Sequence, residues 1–346
     1  MQSESYVFDP RPDYPLVTTA KRYWHPKFYS EDSDALTLIF THGTGFHKEH
    51  WEPTIEDLYA ALEKSSKPPK ICDIWSLDCA NHGDAAVINE QELQWGYSHV
   101  FAWEEYGRSI HAFLTGQGVG VPVDFSKRRL VAIGHSMGAI SHMLLTTLPV
   151  PVTYSAMILV EPMLLPPPTM IPDSDALISG AQRRRDIWPS RNAAYEILQS
   201  RPSWKIWDPR VLKLFVEHGL RDLPTATYPD KQEGVTLICP RDQEVACYSD
   251  KLGRSRAYKF LPTLCSRLPV HFIWGSISEP YLTTETKDYV SHTVAQGKAA
   301  SVAKVPNAGH LVVQINPTGL AKAIYDVLRQ EMARGQPSEP TVVSRL

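Results

Sequence analysis

Cysteine is scarce: Cys72, Cys79, Cys239, Cys247 and Cys265 are the only five in 346 residues. No C-x-x-C pair occurs and the total is odd, which fits a reducing compartment better than a disulfide framework. These thiols read as reduced side chains that pack or lie at the surface. Neither sign of charge dominates, with 35 Lys and Arg against 38 Asp and Glu and a formal net of -3. That balance supplies no field to steer nucleic acid, and no run of Lys and Arg is long enough for a membrane surface. Apolar runs are short as well, none approaching the roughly 18 residues that a spanning helix needs. The opening Met1-Gln2-Ser3-Glu4-Ser5 is polar and acidic and lacks the apolar stretch of a secretory signal. The expectation is a soluble protein made in the cytosol, with no nucleic-acid partner and no membrane span. Internal repeats are also missing.

Two further absences narrow the chemistry. His47, His50, His82 and Asp84 gather polar ligand types, but no pair has the i, i+4 spacing of H-E-x-x-H. They are expected to order loops, and no metal is expected. Gly116-Gln117-Gly118-Val119-Gly120 follows a helical stretch where a dinucleotide fingerprint must follow a strand, so it reads as a turn and no cofactor is expected.

What is present is an alternation of apolar β-prone runs with amphipathic segments. Short β-prone runs near 5–9 and 16–24, separated by prolines, suggest an antiparallel sheet edge. Residues 36–40, 71–77, 131–135, 156–160, 270–274 and 301–305 read as strands, and the nearly continuous apolar ones fit strands covered on both faces. Helical periodicity at about 51–62, 99–114 and 318–332 lies between or after them. This alternation predicts an α/β fold with a mostly parallel sheet flanked by helices. The pattern changes after Pro162, where Met163-Leu164-Leu165-Pro166-Pro167-Pro168 opens a helical stretch with no clear buried strand before Val235-Thr236-Leu237-Ile238. Residues 163–262 therefore read as a largely helical cap inserted over the functional edge, with 1–162 and 263–336 forming the core and 337–346 a flexible tail.

The most informative stretch is Val131-Ala132-Ile133-Gly134-His135-Ser136-Met137-Gly138, a β-branched run meeting G-x-S-x-G just before a helix former. In this context the motif is a nucleophile elbow. The tight turn strains the serine backbone, and Gly134 and Gly138 leave room for strand and helix to approach. Ser136 would project above the carboxyl edge of the sheet, facing the positive end of the helix. His310, in the loop after the last strand, is placed to accept and return the serine proton. Thr41-His42-Gly43-Thr44-Gly45 follows another buried strand, so the Thr44 N–H and the Met137 N–H are the expected oxyanion donors.

Two carboxylates compete for the third place. The commoner position is three residues past the glycine that ends strand 270–274, but Ser278 stands there and Glu279 is displaced by one. Glu161, at the end of strand 156–160, can reach a histidine on the neighbouring loop and is preferred.

His42-Gly43-Thr44-Gly45-Phe46-His47-Lys48-Glu49, Asn81-His82-Gly83-Asp84, the elbow and Leu159-Val160-Glu161-Pro162 together resemble the fungal peroxisomal α/β-hydrolases. That group includes toxin-biosynthesis proteins, acyl-CoA hydrolases of secondary metabolism and a yeast peroxisomal lipase. The resemblance implies the α/β-hydrolase fold from about residue 36 onward and places the triad acid after the earlier strand, which supports Glu161. Aspartate is usual there, so glutamate is a departure whose extra methylene a shifted loop must accommodate. The activity implied is hydrolysis of an acyl ester or acyl-CoA thioester in the peroxisomal matrix.

Two features agree with that expectation. Ser344-Arg345-Leu346 at the C-terminus is similar to the S-K-L peroxisomal address, which an import receptor would read. In the cap, Arg183-Arg184-Arg185 could pair with CoA phosphates, with Trp188 nearby as an acyl-pocket or packing residue. Readings kept beside the thioesterase are a lipase or carboxylesterase and, outside enzymes, a small-molecule receptor on the same fold. Assembly as a homodimer is compatible with the sequence.

Overall fold

The β-branched and aromatic runs extend as strands, and the segments of helical period coil between them. A computed structural model describes residues 1–165 and 174–335. In chain order the strands are β1 (Gln2–Phe8), β2 (Thr18–Trp24), β3 (Leu36–Thr41), β4 (Ile71–Leu77), β5 (Arg129–His135), β6 (Tyr154–Val160), β7 (Ile187–Trp188), β8 (Leu220–Asp222), β9 (Val235–Leu237), β10 (Val270–Gly275) and β11 (Ser301–Val305). Eight of them form one sheet in the order β1-β2-β4-β3-β5-β6-β10-β11. β1 and β2 pair antiparallel at one edge and the remaining strands run parallel. β3, β4 and β10 are buried along their whole length, because helices cover both faces of a parallel sheet.

Each face has its own apolar layer. On one, Trp75, Tyr106, Phe113, Met143, Phe272 and Trp274 pack beneath the helices Trp103–Thr115 and Met137–Leu145. On the other, Trp51, Leu58, Ile324 and Leu328 join β3 to the helices Glu52–Glu63 and Pro317–Gly335. Full burial of each such leucine or isoleucine contributes about 1.5–3 kcal/mol.

Between β6 and β10 the chain leaves the sheet. The helices Ser174–Arg183, Arg191–Gln199, Pro209–His218 and Arg241–Tyr248 surround a small antiparallel sheet in the order β7-β9-β8. Trp188, Val211, Phe215 and Leu237 form an apolar centre here, separate from the two main layers. The sequence reading placed helices alone before residue 235; β7 and β8 are two and three residues long, too short to show a period of two. A second difference concerns the end of the cap. The expected boundary at residue 262 falls inside the helix Leu252–Cys265, whose Ala257, Leu261 and Leu264 pack into the same layer as Met143 and Phe272. Ala246 and Cys247 of the helix Arg241–Tyr248 join that layer too. All five cysteines are buried and free, so none lies at the surface.

Candidate active site

β5 and the helix Met137–Leu145 meet at Ser136, whose φ of 55° and ψ of -116° are those of a strained elbow. The two glycines make that turn physically feasible. A Cβ on Gly134 would stand 2.5 Å from the Ala139 nitrogen, and one on Gly138 would stand 2.6 Å from Thr41 Oγ1 and 2.7 Å from the His42 carbonyl oxygen. The turn is pinned by the Ser136 N–H donating to the Val160 carbonyl at 3.0 Å.

His310, from the loop after β11, places Nε2 3.0 Å from Ser136 Oγ. Its backbone is fastened at both polar ends: its N–H donates to Glu279 Oε1 at 2.9 Å, and its carbonyl accepts from His135 Nε2 at 2.8 Å. The other ring nitrogen, Nδ1, faces Glu161 Oε2 at 3.3 Å. Nδ1 therefore carries the proton that the carboxylate accepts, leaving Nε2 as the acceptor toward Ser136. The two candidate carboxylates thus do different things: Glu161 meets the imidazole ring, and Glu279 meets the backbone of the same residue.

Glu161 is fully buried just past β6, in a left-handed conformation with φ 45°. Its N–H donates to the Ile273 carbonyl at 2.9 Å, which seats the residue beside β10. Oε1 accepts from the Gly275 N–H at 2.5 Å and from Lys287 Nζ at 2.7 Å. Burial pushes the carboxyl pKa up, but His310 and Lys287 more than offset that and hold it below the ordinary value of 4.5. Lys287 is itself buried, and Nζ donates also to the carbonyls of Gly275 at 3.0 Å and Ile277 at 3.2 Å. Sequence reasoning missed this lysine. It lies 126 residues from its carboxylate, in the short helix Thr284–Asp288, and no local motif marks it.

Thr44 and Met137 border the same centre, with Thr44 Oγ1 3.4 Å from Met137 Sδ. Among the described residues neither backbone N–H donates to another protein group. The loop carrying Thr44 is shaped from beneath by neutral imidazoles. Cys79 N–H donates to His42 Nε2 at 3.0 Å while Nδ1 donates to the Gly43 carbonyl at 2.8 Å. Gly45 N–H donates to His82 Nε2 at 2.8 Å while Nδ1 donates to Asn81 Oδ1 at 2.7 Å. Burial pushes His42 down to about 3, so it stays neutral in these bonds. Below this layer, buried Lys48 pairs with Asp78 at 2.8 Å, Asp84 at 2.6 Å and Glu49 at 3.0 Å. Most of the H-K-E and N-H-G-D residues are thus partners in one loop-supporting network. Among the described residues no group of three or more His, Cys, Asp or Glu side chains is arranged to hold a metal.

A cavity of about 240 Å³ opens onto Ser136 and His310. Phe46, Trp103, Met163, Leu177 and Leu311 give it an apolar wall. Of Arg183, Arg184 and Arg185, Arg184 lines this cavity, together with Arg254, and it pairs with buried Glu244 at 2.5 Å. Arg183 and Arg185 lie farther out in the cap, and Trp188 is 2% exposed in the cap's apolar centre. The structure thus brings together Ser136, His310, Glu161, Thr44 and Met137 and leaves Arg183, Arg185 and Trp188 away from Ser136. Ser344, Arg345 and Leu346 lie outside the described residues. No helix among the described residues is long and apolar enough to cross a membrane.

Residues 38–323 match the sequence profile of the alpha/beta hydrolase family. The type I acyl-CoA thioesterase mpaH' of Penicillium brevicompactum is 34% identical over 220 residues, which is 62% of this chain and 47% of that protein. The peroxisomal membrane protein LPX1 of Saccharomyces cerevisiae is 30% identical over 152 residues, 44% of this chain and 36% of that one. The alignments thus span about half or less of each relative's length. Among solved structures, the peroxisomal alpha-beta-hydrolase Lpx1 of Saccharomyces cerevisiae superposes with a TM-score of 0.73 at 18% identity, covering 100% of this chain and 93% of that one, a likeness of fold.

Proposed function

The chain belongs to the alpha/beta hydrolase family, and from that premise we propose that it is a serine hydrolase cleaving a hydrophobic acyl-CoA thioester through an acyl-enzyme. The observation that carries the reading is the continuous line from Glu161 Oε2 to His310 Nδ1 at 3.3 Å and from His310 Nε2 to Ser136 Oγ at 3.0 Å. His310 takes the hydroxyl proton as Ser136 attacks the thioester carbonyl, and Glu161 stabilises the imidazolium that forms. The tetrahedral oxyanion receives the N–H groups of Thr44 and Met137, fixed donors of a kind worth about 2.7–4 kcal/mol each. His310 then protonates the departing thiolate, and a water activated by the same imidazole releases the acid.

The thioester, as opposed to a simple ester, is favoured by the Penicillium relative, an acyl-CoA thioesterase, and by the arginine-rich cap. Peroxisomal residence is favoured by the yeast relative, a peroxisomal membrane protein, and delivery to the matrix by Ser344-Arg345-Leu346, a tripeptide of the kind an import receptor reads. The test is thiol release from short-, medium-, long-chain and aromatic acyl-CoAs, with matched p-nitrophenyl esters beside them and Ser136→Ala as the blank. Ser136-dependent turnover of thioesters above that of esters is expected. Ester cleavage without thiol release would make the protein a lipase or carboxylesterase, and silence on both would make it a binding protein.

A further inference from the structure

Arg184 lines two cavities. One is the catalytic cavity, and the other, of about 300 Å³, lies in the cap and is walled by Arg183, Arg185, Arg201, Trp188 and Trp204 among others. Among the described residues no carboxylate lines this second cavity. Apart from Arg184, which pairs with Glu244, its arginines differ from four others in the cap in how they are balanced. Arg191 pairs with Asp222, Arg210 with Asp57, Arg221 with Glu90 and Arg241 with Asp186, all within 2.5–3.0 Å. Arg183, Arg185 and Arg201 have no carboxylate partner among the described residues. They are nonetheless held. Arg183 Nε donates to the Ser179 carbonyl at 3.2 Å and Arg185 Nε to the Ile187 carbonyl at 2.9 Å, which positions each fork while its terminal nitrogens remain without a protein acid.

We infer that this cap cavity is the subsite for the nucleotide end of the substrate, the adenosine 3′,5′-bisphosphate and pyrophosphate portion of a CoA thioester. The inference rests on the thioester reading above. Guanidinium forks match phosphate oxygens in charge and geometry, and an unbalanced set of them around one cavity is suited to a multiply charged anion. Trp204, half-buried beside them, offers an aromatic face on which a purine can stack. Buried Trp188 adds an indole N–H with no acceptor among the described residues. Arg184 would then stand where the pantetheine arm passes from the phosphates to the thioester at Ser136, held there by Glu244.

The test uses the full chain and two probes. Adenosine 3′,5′-bisphosphate is titrated calorimetrically into the wild type, into Arg183→Gln/Arg185→Gln/Arg201→Gln and into the corresponding triple Lys variant, with inorganic phosphate and adenosine as controls. Saturable wild-type binding is expected, weakened about tenfold or more in the Gln variant and about threefold or less in the Lys variant, since charge-assisted bonds are lost in one and partly kept in the other. In parallel, KM for an acyl-CoA relative to its N-acetylcysteamine thioester should rise by a similar factor in the Gln variant alone. No saturable binding, equal binding of phosphate alone, or an affinity the Gln variant leaves unchanged would each overturn the subsite. Arginine-dependent bisphosphate binding in a protein that cleaves only p-nitrophenyl esters would uphold the subsite and refute the thioester reading, so the two can fail separately.

Discussion

Replacing Glu161 by Gln separates the two acidic candidates by a margin that kinetics can read. In the wild type Oε2 accepts from His310 Nδ1, while Oε1 is occupied by Gly275 N–H and Lys287 Nζ. A glutamine can keep its carbonyl oxygen toward those two donors only by turning its NH₂ toward Nδ1. That forces the imidazole to protonate on Nε2, and the atom 3.0 Å from Ser136 Oγ becomes a donor and ceases to be a base. Loss of the correct tautomer and of imidazolium stabilisation costs about 10⁴-fold in kcat, which is about 5 kcal/mol of barrier. The variant also leaves the buried Lys287 ammonium without its counter-charge, a change that destabilises by about 3–5 kcal/mol, so it is assayed below its own unfolding midpoint. Glu279→Gln keeps an oxygen for the His310 N–H, which sits 2.9 Å away in the wild type, and should lose about tenfold or less. The assay is single-turnover acyl-enzyme formation from a p-nitrophenyl ester, paired with a urea denaturation curve. Near wild-type turnover in Glu161→Gln together with a loss of about 10³-fold or more in Glu279→Gln would refute the assignment.

Three further outcomes follow from the same contacts. Lys287→Met removes a positive charge beside Glu161, which favours the protonated imidazole. The acid limb of the kcat/KM profile should therefore move to higher pH, and a limb that stays in place would mean that the lysine serves stability alone. Burial pushes His42, His135 and His142 down to about 3. Unfolded imidazoles bind protons below about 6.5 and the folded ones resist until about 3, so stability falls with pH across that window, by about 1.4 kcal/mol per unit for each group. Denaturant midpoints at pH 7 and pH 5 should show a steep drop with net proton uptake on unfolding. Gly138→Ala places a methyl 2.6 Å from Thr41 Oγ1 and 2.7 Å from the His42 carbonyl, so it should abolish labelling of Ser136 by a fluorophosphonate even in protein that remains folded by circular dichroism.

Much of the core was legible because its signals are local. A β-branched run, two glycines and a helix former specify the elbow within about ten consecutive residues, 131–140, and the observed φ of Ser136 is the strain that this turn requires. The chain order of serine, acid and histidine made Ser136 and His310 the candidates because each loop follows its strand directly, and the two side chains lie 3.0 Å apart. The acid was ambiguous for an equally physical reason: Glu161 and Glu279 both follow strands that end at the same edge. Their different attachments to His310, one through the ring and one through the backbone, depend on how β6 sits against β10, where Val160 pairs with Ile273. The cap was harder to read, since β7 and β8 are too short to carry a period and the helix Leu252–Cys265 shows its allegiance only through the layer it packs into.

By itself, then, the sequence determined the alternating sheet and helices, the elbow and the positions of the groups that meet there, because periodicity and turn chemistry are properties of adjacent residues. Tertiary structure decided which carboxylate faces the imidazole, that Lys287 supports it from 126 residues away, and that Arg183, Arg185 and Arg201, without a carboxylate partner among the described residues, gather around one cavity of the cap. Those outcomes depend on which loops share a buried space, and in that space a charge is stable only beside the partner that folding brings to it.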